Sequence, residues 1–298
     1  MSKYQIFTDS CSDLSKEIRT KAGIEYFRMG FNVGDKLYPA DMDFELYTPE
    51  QLYAWIGDLK NHCKTSMVNP LEFEEKMVPY LEKGIDILYI ACSSALTGTQ
   101  NVFNLVVEDL KTRYPERKMI CVDSLIASYG LGWLTLDAKK EQDKGATIEE
   151  VVEWCNTHKF HYNQIVTVDT LTYLKAAGRV KGTAAFFGNI IGVKPLFISD
   201  RKGNNFVIKK VKGTKNALNE IFEITKEKIH LDKCKEVCIV QGMAMDNALK
   251  LKERFEKELG VTCHIEWIGP IVGITCGPGV IGTFCYGEEV TRYDGDGK

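Results

Sequence analysis

The stretch Ile85-Asp86-Ile87-Leu88-Tyr89-Ile90-Ala91-Cys92 is a nearly continuous apolar run that leads into Ser93-Ser94-Ala95-Leu96-Thr97-Gly98-Thr99. Beyond it Val102, Phe103, Val106, Val107 and Leu110 recur at helical spacing. A short apolar run bounded by turn residues reads as a strand buried on both faces, and an amphipathic helix after it marks a parallel sheet covered by helices. The unit returns at 119–122, followed by an apolar stretch over 125–140 that reads as a long helix. Nearer the start, 4–8 predicts a strand and 13–22 a helix, with Ser12 as cap and Gly23 as stop. The first half is therefore expected to be an α/β unit built on a mainly parallel sheet.

The second half has a different rhythm. Strands are expected over 164–168, 193–199, 206–211, 236–241, 262–268 and 281–287. A short helix is expected over 171–177, and two amphipathic helices carry Leu218, Ile221, Phe222 and Ile229, then Ala248, Leu251, Phe255 and Leu259. The turn-rich Asp200-Arg201-Lys202-Gly203-Asn204-Asn205 makes hairpin pairing available, so this half is expected to be a mixed or antiparallel α/β sheet. The rhythm breaks at Asn156-Thr157-His158-Lys159-Phe160-His161, which sets expected domains at 1–160 and 161–298.

The chain has 298 residues, enough for two cores, and 38 basic against 41 acidic residues give a net charge of −3. Without a cationic excess, a nucleic-acid partner is not expected. The longest largely apolar stretch, 183–198, is broken by Gly188, Asn189, Gly192, Lys194 and Pro195. It falls short of the roughly 20 apolar residues of a spanning helix. Asp9 interrupts the start before a leader's apolar core could form, so a cytoplasmic protein is expected. The ten cysteines contain no C-x-x-C pair, and Cys234 with Cys238 lacks a second pair for zinc. They read as core thiols, and no metal is expected.

Candidate chemistry gathers at strand ends, in Thr8-Asp9-Ser10, Ser93-Ser94, Asp123-Ser124 and Asp169-Thr170. Open α/β sheets bind ligands there, and the alternative reading of each is a helix cap. The loop from Ser93 to Thr99 holds four hydroxyls, and Thr65-Ser66 is a second hydroxyl-rich turn. Together they suit one carboxylate held by neutral hydrogen bonds. No G-x-x-x-x-G-K-[ST] occurs, and Gly277-Pro278-Gly279-Val280-Ile281-Gly282 fits G-x-G-x-x-G without room for the βαβ unit after it, so it reads as a turn. Ser93 and Ser94 lack the G-x-S-x-G elbow, and no histidine lies in a nucleophile motif. A stand-alone enzyme for a small acyl or phosphorylated substrate, with Asp9, Asp123 or Asp169 as acid or base, is the alternative function.

Taken in order, Thr8-Asp9-Ser10, Thr65-Ser66 with Pro70, Ser93 to Thr99, Val122-Asp123-Ser124, Gly178-Arg179, Lys194-Pro195 and Gly277-Pro278-Gly279 resemble the DegV family over nearly the whole chain. The resemblance implies a two-domain α/β protein with a long-chain fatty acid in a buried tunnel between the domains and no other cofactor. It further implies the non-catalytic binding subunit of a bacterial fatty acid kinase, which presents the carboxylate to a separate ATP-binding subunit. Carried over by position, Thr65, Ser93 and Ser94 would hold the carboxylate, with Thr97, Gly98, Thr275, Gly277 and Gly279 completing the ligand site. Arg179 and Lys212 would face the partner. Two positions depart from the family: Thr275 stands where many members have histidine, and Lys210-Val211-Lys212 where many have arginine. Threonine supplies no imidazolium and lysine no planar fork, which weakens the expectation of phosphotransfer more than that of lipid binding. The segment 183–192 reads as buried helix, with a lid or transient membrane contact as the alternative.

Overall fold

The computed structural model describes residues 3–181 and 192–291. In chain order the first half contains β1 (Tyr4–Asp9), α1 (Lys16–Ala22), β2 (Glu25–Phe27), β3 (Gly30–Val33), β4 (Lys36–Pro39), α2 (Pro49–Gly57), β5 (Lys64–Ser66), α3 (Pro70–Leu81), β6 (Asp86–Ala91), α4 (Thr99–Arg113), β7 (Met119–Asp123), α5 (Tyr129–Asp143) and α6 (Ile148–His158). The second half follows as β8 (Tyr162–Thr167), α7 (Thr172–Ala177), β9 (Val180–Lys181), β10 (Val193–Ser199), β11 (Asn205–Lys212), α8 (Thr214–Lys228), β12 (Glu236–Gly242), α9 (Met245–Leu259), β13 (Thr262–Trp267), α10 (Pro270–Cys276) and β14 (Val280–Tyr286).

The fold is mixed α/β. The first sheet, in order β2-β1-β6-β7, is parallel throughout. Every residue of β6 is buried, as its unbroken apolar run requires. Phe7, Phe27, Phe73, Tyr89 and Phe103 pack as a continuous aromatic cluster beneath α3 and α4, with Phe27 and Phe73 centroids 4.5 Å apart. The second sheet, β13-β12-β14-β8-β10-β11-β9, is mostly antiparallel, with parallel pairs at its two edges. Helix α5 lies between the sheets, packed on β1 and β6 of one and on β8 and β14 of the other. Its first seven residues are therefore all buried.

Two helices begin later than the sequence suggests. The α1 helix starts at Lys16 rather than Asp13, and the Ser12 hydroxyl turns to the Met42 sulfur instead of capping. The α5 helix starts at Tyr129, because Ser124 bonds the Ile126 backbone and holds 124–128 as a loop. Asp13, Leu125 and Ser128 there all have positive φ. Several elements were not signalled by periodicity: the small antiparallel sheet β4-β3-β5, α2 and α6 with their Thr48 and Thr147 capping boxes, α3 with Pro79 inside it, and α10. Most of the 183–192 segment, read as helix or lid, lies outside the described residues.

Candidate functional site

A cavity of about 340 Å³ opens where β5, the loop before α4, the start of β9 and α10 meet the inner face of the second sheet. Its size suits a small-molecule ligand. Val166, Phe197, Val240, Val280 and Phe284 form the sheet side, and Ile268, Ile271 and Val272 enter from α10 and the residues before it. The first half contributes Cys11, Met29, Cys92 and Ala127. One end is polar, with Thr65, Ser66, Thr97 and Arg179 beside Thr275. An outer cavity of about 310 Å³ begins there, and Thr65, Arg179 and Thr275 border both. His62, Lys64 and Arg179 line this outer space, with Asp58 as the single carboxylate among the described residues around it.

Local structure explains these positions. The β5 strand carries Thr65 to the site because it pairs with β3, Thr65 opposite Phe31 and Ser66 opposite Gly30. Thr97 precedes the α4 N-terminus and accepts from Thr99 N at 3.3 Å, while its hydroxyl lies 2.9 Å from that of Thr99. Arg179 Nε donates to the Leu96 carbonyl at 3.2 Å and Nη1 to that of Ala177, which fixes the guanidinium between the loop and α7. The Thr275 hydroxyl donates to Ile271 O at 3.1 Å, so it faces the ligand space mainly as an acceptor.

Of the remaining expected site residues, only Gly98 lines the cavity. Ser93 is fully buried and absent from the lining of either cavity; its Oγ donates to Gly203 O at 2.8 Å and accepts from Ala95 N at 3.2 Å. It closes its own loop onto the β10–β11 turn. Ser94 is exposed, with its N–H on Asp123 Oδ1 at 3.2 Å. Gly98 is at the cavity wall, where a Cβ would stand 2.9 Å from the Met67 sulfur. Gly277, at φ +79°, leaves room for the Tyr173 ring, which a Cβ would meet at 2.0 Å. Gly279, at φ +83°, sits against Asp169 in a separate cavity of about 110 Å³. The Gly-Pro-Gly loop thus seats α7 and Asp169 and does not line the large cavity. Lys212 ends β11, seven residues along the strand from Asn205, and lines neither cavity.

The three aspartates of the enzyme reading are also engaged away from the cavity. Asp9 is buried and accepts from Cys11 N at 2.8 Å, Tyr89 Oη at 2.7 Å and Cys92 N at 2.9 Å. Burial pushes its carboxyl up against those three bonds. Asp123 accepts from Ser94 N and Leu125 N, and Asp169 pairs with Lys194. Among the described residues no cluster of His, Cys, Asp and Glu is placed to hold a metal, and no helix is long and apolar enough to cross a membrane.

Sequence reasoning missed Ser128, Gln164 and Asn205, three polar side chains on the large cavity. Gln164 carried a usable signal: it shares the face of Val166 in a strand whose residues are all buried.

A family model described as an uncharacterised protein of the DegV family matches residues 3–288. A DegV domain-containing protein of Clostridium perfringens is 32% identical over 97% of this chain and 99% of its own length. Among solved structures, one described as fatty acid binding of a DegV family protein from Thermus thermophilus has a TM-score of 0.83 at 23% identity, covering 96% of this chain and 100% of that one. A stearic acid-binding protein from Eubacterium ventriosum has a TM-score of 0.84 at 21% identity, covering 95% and 98%. With a matching family model over nearly all of its length and a relative of this identity, the chain belongs to the DegV family.

Proposed function

We propose that this protein holds a long-chain fatty acid in the large cavity and presents its carboxylate to a separate kinase subunit for conversion to acyl phosphate. The observation that carries the reading is the neck. Thr65, Arg179 and Thr275 border both cavities, so a carboxylate placed there has its hydrocarbon on the apolar side and its oxygens toward the outer space. Arg179 supplies charge and Thr65 and Thr97 supply hydroxyl donors, while the apolar walls take the chain. The solved relatives described as fatty-acid-binding proteins support the ligand class. The proposed units, 1–160 and 161–298, both contribute to the neck, the first with Thr65 and Thr97 and the second with Arg179 and Thr275.

The chain acts in the cytoplasm as a carrier without a cofactor or catalytic group of its own, and Arg179 faces the partner. The kinase subunit brings the ATP; the carboxylate oxygen attacks its γ-phosphorus, the bond from that phosphorus to the bridging oxygen breaks, and ADP leaves. Extraction of protein purified from a bacterial host, followed by mass spectrometry, is expected to recover about one fatty acid per chain. Empty protein that also fails to take up palmitate or oleate overturns the reading. With an ATP-binding kinase subunit added, hydroxylamine is expected to trap the acyl phosphate as a hydroxamate; its absence with loaded protein removes the kinase step and leaves the binding.

A further inference from the structure

The sheet side of the large cavity carries a polar cluster that the head-group site does not use. Gln164 on β8 and Asn205 at the start of β11 both line the cavity, at 5% and 9% exposure, on a face otherwise built from valine and phenylalanine. Gln164 Nε2 donates to Asn205 Oδ1 at 3.0 Å, and Asn205 Nδ2 donates to Arg179 O at 3.1 Å. These bonds fix both amides and leave the Gln164 carbonyl oxygen without a partner among the described residues. Ser199 lies opposite Asn205 in the β10–β11 register, and its hydroxyl is buried with no hydrogen-bond partner among the described residues. It shares a strand face with Phe197, which lines the cavity, but does not line the cavity itself.

A plain hydrocarbon laid over these groups strips them of water and returns no hydrogen bond. A hydroxyl on the chain returns both kinds: it donates to the Gln164 oxygen and accepts from the second amide hydrogen of Gln164 or Asn205. A site built to bond a ligand hydroxyl discriminates against the analogue that lacks it. We propose that the cavity selects a fatty acid bearing a hydroxyl on its hydrocarbon chain, with Gln164 as the residue that reads it. This rests on the fatty-acid reading above and specifies the ligand class within it.

The test uses the delipidated full chain and displacement of a fluorescent fatty acid by hexadecanoic acid and a series of its positional monohydroxy isomers. At least one isomer is expected to bind about tenfold more tightly than the parent, as one recovered hydrogen bond allows. Gln164→Leu is expected to erase that preference and to bind the parent acid at least as tightly as wild type, because a plain chain no longer strips an amide of water. No isomer exceeding the parent in the wild-type protein overturns the proposal, as when a trapped water already serves the cluster. That arm needs no variant to fold. A folded Gln164→Leu protein that keeps the preference, or loses the parent acid, also overturns it. If neither parent nor isomers bind, the fatty-acid reading itself has failed, a result distinct from equal binding of all of them.

Discussion

Two polar clusters border the large cavity and use their hydrogen bonds differently. At the seam between the sheets, Asp13 Oδ1 accepts from Gly269 N at 2.9 Å and Oδ2 from Ser128 Oγ at 2.6 Å. One buried carboxylate thereby ties the loop after β1 to the starts of α10 and α5. Asp13 and Ser128 hold left-handed backbone, at φ 49° and 55°, which such mutual bonds sustain. At the neck, Thr65 and Arg179 are exposed, and two cavities meet across them. The seam spends its capacity on the walls, whereas the neck spends only part of it, Arg179 Nε and Nη1 on the Leu96 and Ala177 carbonyls and the Thr275 hydroxyl on that of Ile271. A polar residue next to a cavity is thus a ligand group only where its bonds are still available.

The comparison breaks most visibly at the neck. Thr65→Val combined with Arg179→Ala removes two donors to a bound carboxylate, each charged hydrogen bond being worth roughly 1.5 to 3 kcal/mol. Affinity for palmitate is expected to fall by about a hundredfold or more, with the urea midpoint nearly unchanged. Titration of the delipidated variant with a fluorescent fatty acid checks it, and wild-type affinity would remove the carboxylate from the neck.

The seam predicts a pH dependence of stability instead. Burial, chiefly, pushes the Asp13 carboxyl up to about 7, with the Asp9 and Glu266 charges adding to it against the Ser128 and Gly269 bonds. Burial and the Glu17 charge bring Glu266 to about 7 as well. Because the folded value lies above the unfolded one, the folded protein keeps a proton through the window from about pH 4 to 7 that the unfolded chain gives up. Stability therefore falls as pH rises through that window and levels off above it. For Asp13 alone the loss between pH 5 and 8 is roughly 2 to 3 kcal/mol. Asp13→Asn keeps an acceptor for Gly269 N–H and is expected to remove that share of the slope in urea unfolding from pH 5 to 8. Parallel slopes for variant and wild type would show that Asp13 does not carry it.

The sequence made the first sheet legible and left the site half-hidden, for a physical reason. The β6 run and the Phe103, Val107 and Leu110 spacing of α4 are set by burial alone, which periodicity reports. Thr65, Thr97, Arg179 and Thr275 came from local hydroxyl density and family resemblance, and all four border the cavity. Ser93, Gly277 and Gly279 came from the same motifs, yet their roles depend on distant contacts with Gly203, Tyr173 and Asp169. Nothing within seven residues of Ser93 indicates that the β10–β11 turn will lie over it. Gln164 and Asn205 meet across 41 positions of chain, a pairing fixed only once the second sheet forms.

Ser93 offers the smallest and most discriminating test, because motif and geometry give it opposite jobs. As a carboxylate ligand its removal would cost affinity on the scale of the neck variant. In the fold its hydroxyl is satisfied by Gly203 O and Ala95 N, and no face of it lines the cavity. Ser93→Ala is then expected to lower stability by about 2 kcal/mol, the net worth of two neutral hydrogen bonds. Palmitate affinity should stay within about twofold, since Thr97 remains anchored through Thr99. The urea midpoint and the binding constant, measured on the same sample, separate the two roles. A tenfold loss of affinity with an unchanged midpoint would return Ser93 to the ligand and move the boundary between seam and neck inward.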